Sequence, residues 1–82
     1  MIEKNDWRLG ILNNRLKGET WAHKKYTQYS ESWDRDHCEA CTDKFMEREG
    51  FLREGYCTLD KNHWICPTCY NDFKNMFGWT LI

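Results

Sequence analysis

The 82-residue chain carries twelve Lys/Arg against thirteen Asp/Glu, a formal charge of −1, with five cysteines and an unusual share of aromatic residues. That balance excludes the strongly basic footprint of a protein that binds nucleic acid mainly by charge. The length allows one small core that needs a staple. Neither Met1-Ile2-Glu3-Lys4-Asn5-Asp6 nor any later stretch has the apolar run of a signal peptide or membrane span. A cytoplasmic protein with reduced thiols, not disulfides, is the expectation.

In chain order, residues 1–18 read as an irregular or short helical lead. Leu9, Leu12 and Leu16 have helical spacing, interrupted by Gly10, Asn13-Asn14 and Gly18. Thr20 to Tyr29 reads as a strand rich in β-formers, with Trp21, His23 and Lys25 on one face and Thr20, Ala22, Lys24 and Tyr26 on the other. Ser30-Glu31-Ser32 is a loop, and Trp33 to His37 leads into Cys38-x-x-Cys41. Thr42 to Glu49 has good helix formers, with Thr42 as a cap and Gly50 as a stop, so one or two helical turns are expected.

Phe51–Leu59 and His63–Ile65 read as two strands joined by the turn chemistry of Asp60-Lys61-Asn62. Cys66-Pro67-Thr68-Cys69 then opens a helix, because proline suits the first helical position. Tyr70, Phe73, Met76 and Phe77 form its apolar stripe, Gly78 ends it, and Trp79-Thr80-Leu81-Ile82 is an apolar tail that packs back.

Two CxxC pairs separated by 24 residues are the strongest chemical signal in the sequence. A tetrahedral Zn²⁺ takes four thiolates at about 2.3 Å, and each CxxC turn can deliver two to one ion. The spacing slightly exceeds the usual paired-CxxC pattern, by a margin that an intervening hairpin absorbs. Cys38, Cys41, Cys66 and Cys69 are therefore the expected ligands of one structural zinc. Cys57, the odd thiol, falls mid-strand and reads as core packing, with ligand substitution or redox chemistry as the alternative. His37 and His63 flank the pairs, but two complete pairs leave them no vacancy; hydrogen bonding around the ligands is their expected role.

The order knuckle, hairpin, cysteine pair at a helix start resembles the treble-clef zinc fingers over roughly residues 36–78. Cys38 and Cys41 match the knuckle, and Cys66 and Cys69 match the helix-start pair. A zinc ribbon would instead place the second pair on a hairpin, against the helical stripe after Cys69. The resemblance implies an α+β, zinc-stapled domain in which residues 1–35 form a strand-containing extension packed on a 36–82 zinc module. It implies no single activity, because such folds host many roles.

Asn62 to Lys74 also resembles the final strand and helix of zinc-stapled HNH nucleases. Those enzymes carry an Asp-His pair on the first hairpin strand and a metal-binding histidine on the helix. Here Phe51–Leu59 has neither, Asp36-His37 precedes the knuckle, and Tyr70, Asn71, Asp72 and Phe73 follow Cys69. The catalytic roles cannot be filled, and a closed four-cysteine site leaves no open position for water. A non-catalytic protein is expected.

Charge decides between the two binding readings. Residues 1–30 hold six Lys/Arg against three Asp/Glu, and residues 31–82 hold six against ten. Arg8, Arg15, Lys17, Lys24 and Lys25, interleaved with Trp7, Trp21, Tyr26 and Tyr29, could pair phosphates and stack bases. The acidic second half repels phosphate. Asp34, Asp36, Glu39, Asp43 and Glu47 would instead face a basic protein partner. Trp33-Asp34-x-Asp36-His37-Cys38-x-x-Cys41 with His63-Trp64-Ile65-Cys66-x-x-Cys69-x-x-Asp72-Phe73 also resembles small uncharacterised bacterial proteins. A small bacterial or phage protein of this size suggests an adaptor, immunity protein or inhibitor. Protein binding is the expected function, nucleic-acid binding the alternative, and a degenerate HNH-type nuclease a remoter third.

Overall fold

The structure, a computed structural model, describes residues 6–13, 15–28 and 30–82. Asn14, Tyr29 and residues 1–5, invoked above, lie outside the described residues. The chain is a small α+β fold of two short helices, a four-stranded sheet and a two-stranded sheet.

Helix α1 spans Trp7–Leu12. Asp6 caps it by accepting the Arg8 N–H at 2.9 Å. Asn13 ends it in the left-handed conformation (φ 47°), returning its N–H to the Leu9 carbonyl. A six-residue helix is not stable alone, so its position comes from tertiary contacts. Leu12 is buried, while Leu9 and Leu16 pack against the core.

Strand β1 spans Thr20–Lys25 and is an inner strand of the main sheet. It pairs antiparallel with β4 (Glu54–Thr58), in register from Trp21↔Thr58 to Lys25↔Glu54. Strand β5 (Trp64–Ile65) closes the expected hairpin on the far side of β4. The Asp60 carboxylate fixes the turn between them, accepting the Thr58 hydroxyl and the Asn62 N–H. The apolar tail adds a strand the sequence did not announce. Thr80–Leu81 (β6) pairs parallel with β1, and the Trp79 indole N–H donates to the Leu16 carbonyl at 2.7 Å.

The expected helix over Thr42–Glu49 is instead a hairpin strand. Lys44–Met46 (β3) pairs antiparallel with Arg35–His37 (β2), with Asp36 opposite Phe45. Thr42 sits at φ 67°, a left-handed conformation that cannot open a right-handed helix. It turns the chain back along β2 and buries both Phe45 and Met46. Tertiary pairing thus overrides the helical propensity of the segment.

Helix α2 spans Pro67–Phe73, and a turn carries the chain on to Gly78, whose φ of 64° closes it. The Trp79 N–H reaches back to the Lys74 carbonyl, as such an end requires. Tyr70, Phe73 and Phe77 are buried as the stripe predicts. Met76 is not: it lies in the final turn, 49% exposed.

Aromatic rings fill the core in two groups. Tyr26, Phe45 and Trp64 meet at centroid distances of 4.9 to 5.7 Å. Tyr70 stacks on Tyr56 at 3.8 Å, joining α2 to β4, and packs against Trp79, which meets Trp21 edge-on. No helix among the described residues is long and apolar enough to cross a membrane.

Candidate metal centre

Cys38 and Cys41 lie on the knuckle between β2 and β3. The Cys38 N–H donates to the Asp43 carbonyl at 2.7 Å and the Thr42 N–H to the Cys38 carbonyl at 3.0 Å, closing the hairpin end into a tight turn. The Glu39 N–H donates to the Trp64 carbonyl at 2.9 Å, laying the knuckle along β5. Because β5 runs directly into Cys66, this contact helps carry the second pair to the first, together with the Cys38↔Trp64 bridge. Cys66 caps α2 and Cys69 sits in its first turn.

The four Sγ atoms all lie within 4.8 Å of one another, the only such cluster of His, Cys, Asp or Glu ligand atoms among the described residues. Cys41 Sγ and Cys66 Sγ are 3.7 Å apart. A regular tetrahedron of sulfurs around Zn²⁺ at about 2.3 Å has edges of about 3.8 Å. The four thiols therefore fit a metal ion of that size. None of the five cysteines is in a disulfide. Cys57 is wholly buried and stands outside the cluster.

Backbone donors converge on the sulfurs. Cys38 Sγ accepts the N–H groups of Ala40, Cys41 and Cys66, and Cys66 Sγ accepts that of Cys69, each at 3.4 Å. The Cys66 and Cys69 thiols, helped by these N–H donors, hold Cys38 far below the ordinary thiol range despite its burial. Hydrogen bonding to Cys38 pushes Cys66 and Cys69 up, while burial, reinforced by the Cys38 charge, pushes Cys41 up to about 12. Four thiolates in so small a space require a positive ion between them.

Three of the four cysteines are buried; Cys41 is half-buried. It opens on a groove of about 600 Å³ whose walls include Trp7, Arg8, Asp43, Leu52 and Pro67. Trp7 is 62% exposed there.

The basic residues expected to touch nucleic acid are dispersed. Arg8 is at the cysteine cluster, where its guanidinium bonds Asp6, Asp72 and Cys69 Sγ and lies over the Phe73 ring. Arg15 pairs with Glu39 at 3.3 Å. Lys17, Lys24 and Lys25 are exposed, the last two on β1. Trp21 is fully buried, so its ring offers no face for a base to stack on.

Most of the acidic residues are engaged within the chain. Asp34 pairs with Arg35, and Asp36 accepts the Tyr26 hydroxyl and the Trp33 indole N–H. Glu39 also holds His63 Nδ1 at 2.7 Å, and Glu47 accepts the Gln28 N–H. Asp43 remains exposed at the groove, with no ion pair among the described residues. His63 thus bonds a knuckle side chain, not a sulfur, and His37 is exposed.

The contact that sequence reasoning missed is Arg8 on Cys69. The two are 61 positions apart, and nothing local to either signals the other. No protein-family model, curated protein or solved structure matches the chain.

Proposed function

We propose that this chain is a zinc-stapled, treble-clef-like module, non-catalytic, that binds another protein through the groove beside Cys41. The treble-clef reading draws on the knuckle, the β4–β5 hairpin and the cysteine pair that opens α2. Zinc is favoured over other ions by the donor set, since four thiolates within 4.8 Å of one another suit a soft-tolerant ion without geometric preference. Such a closed site holds structure and leaves no position for a reacting water. The Asp36 carboxylate, taken by Tyr26 and Trp33, is not free to orient His37 as a base.

One observation carries the binding reading: an exposed tryptophan and an exposed carboxylate flank an open apolar groove. Tryptophan is a rigid, large-area anchor in protein interfaces. Asp43 and the negative charge of a four-thiolate centre favour a basic partner there.

The test is capture from nuclease-treated lysate by immobilised, zinc-loaded protein. Trp7→Ala and Asp43→Lys serve as folded controls and Cys66→Ser as the unfolded one. The expected result is a protein retained by the wild type and lost with both folded variants. Retention seen only from lysate left untreated with nuclease, or that neither variant changes, would overturn this reading.

A further inference from the structure

We infer that Arg8 is the charge partner of the Cys69 thiolate, a positioning residue that retains the metal and couples the docking of α1 to it. The inference rests on the zinc reading above. Cys69, Asp72 and Phe73 stand at i, i+3 and i+4, so they share one face of α2. Arg8 covers that face. Its Nη1 donates to Cys69 Sγ at 3.4 Å and to Asp72 Oδ2 at 2.8 Å, while its carbon centre lies 4.6 Å from the Phe73 ring centroid. Asp6 takes the opposite edge through Nε and Nη2, at 3.0 and 2.8 Å. The side chain is only 14% exposed.

Two features separate this from an ordinary ion pair that docks a helix. Asp6 and Asp72 already supply more negative charge than one guanidinium needs, so the third contact does not serve to neutralise Arg8. The thiolate gains instead. Four thiolates around a divalent ion leave a buried excess of negative charge, which a held cation offsets. Cys69 Sγ also accepts no backbone N–H among the described residues. Cys38 accepts three N–H groups and Cys66 one, whereas Arg8 is the only N–H donor to Cys69 Sγ among the described residues.

The test compares wild type, Arg8→Met, Arg8→Lys and Asp72→Asn. Zinc-loaded samples are read for metal release to a chromogenic chelator, and cobalt-loaded samples for the thiolate-to-cobalt charge-transfer band. Loss of a hydrogen-bond partner to a metal ligand weakens retention about 10–100-fold, so Arg8→Met is expected to release zinc at least about tenfold faster. Its cobalt band moves to lower energy, because Cys69 becomes the stronger electron donor. Arg8→Lys, which keeps the charge without the fork, falls between; Asp72→Asn leaves the band in place.

An unmoved band with unchanged release in Arg8→Met overturns the inference. So does an Asp72→Asn chain that loses metal as fast as Arg8→Met, since Arg8 would then act only by docking α1. Should Arg8→Met fail to fold, Arg8→Lys against Asp72→Asn decides. A band shift in the first alone supports the inference, and none in either overturns it. A wild-type chain that binds neither ion overturns the zinc reading itself, which sets that failure apart.

Discussion

A side chain on Gly55 would place its Cβ 2.7 Å from the Ile65 carbonyl oxygen and 2.9 Å from the edge of the Phe45 ring. Neither neighbour can yield. The carbonyl belongs to the β4–β5 pairing, and the Phe45 ring is wedged between Tyr26 and Trp64. Gly55→Ala is therefore expected to lose about 1–3 kcal/mol, the usual cost of overpacking a core. Chemical denaturation of the metal-loaded protein measures this; an unchanged midpoint would show that the hairpin and ring can relax. The close approach left no trace in the sequence, where Gly55 was one glycine inside a run of strand formers. The clustering of the four cysteines was legible because the CxxC spacing itself constrains where two thiols can point. Arg8 was not, since its charge reads the same beside phosphate, carboxylate or thiolate.

Among the elements, the strands and α2 were legible where hydrophobic pattern and turn chemistry agreed. Pro67 at the start of α2 and Asp60-Lys61-Asn62 in the hairpin turn are the clearest cases. The β2–β3 hairpin is hidden in the sequence because Thr42–Glu49 has helical propensity, which the left-handed turn that the knuckle imposes at Thr42 overrides. Strand β6 escaped notice because two residues are too few to carry a pattern. The hairpin is tied to the end of β1 by Tyr26, whose buried hydroxyl donates to Asp36 at 2.9 Å. Burial, and then the hydrogen bond to Asp36, raise the Tyr26 phenol above its ordinary value. An unfolded tyrosine ionises near about pH 10, while the folded one stays protonated. The linked stability is therefore full below about pH 10 and falls as pH rises beyond it. Tyr26→Phe is expected to flatten this alkaline decline in denaturation midpoints taken between about pH 8 and 11. An equally steep decline in the variant would place the titration elsewhere.

At the scale of the molecule, the four-cysteine cluster is where separate parts of the chain meet. The knuckle brings β2 and β3, Cys66 and Cys69 bring β5 and α2, and Arg8 brings α1. The aromatic core is small, and its rings come from the main sheet, from β3 and from α2. A structural zinc contributes about 10–16 kcal/mol of apparent binding free energy at neutral pH, against about 5–15 kcal/mol for the net stability of a typical domain. Folding and metal binding should therefore be one event. The measurement that tests this most directly is elemental analysis of never-chelated protein, paired with circular dichroism before and after a strong chelator. The account predicts one zinc per chain and loss of the folded signal as the ion leaves. A chain that is folded and metal-free as purified, or that keeps its full signal after chelation, would contradict it.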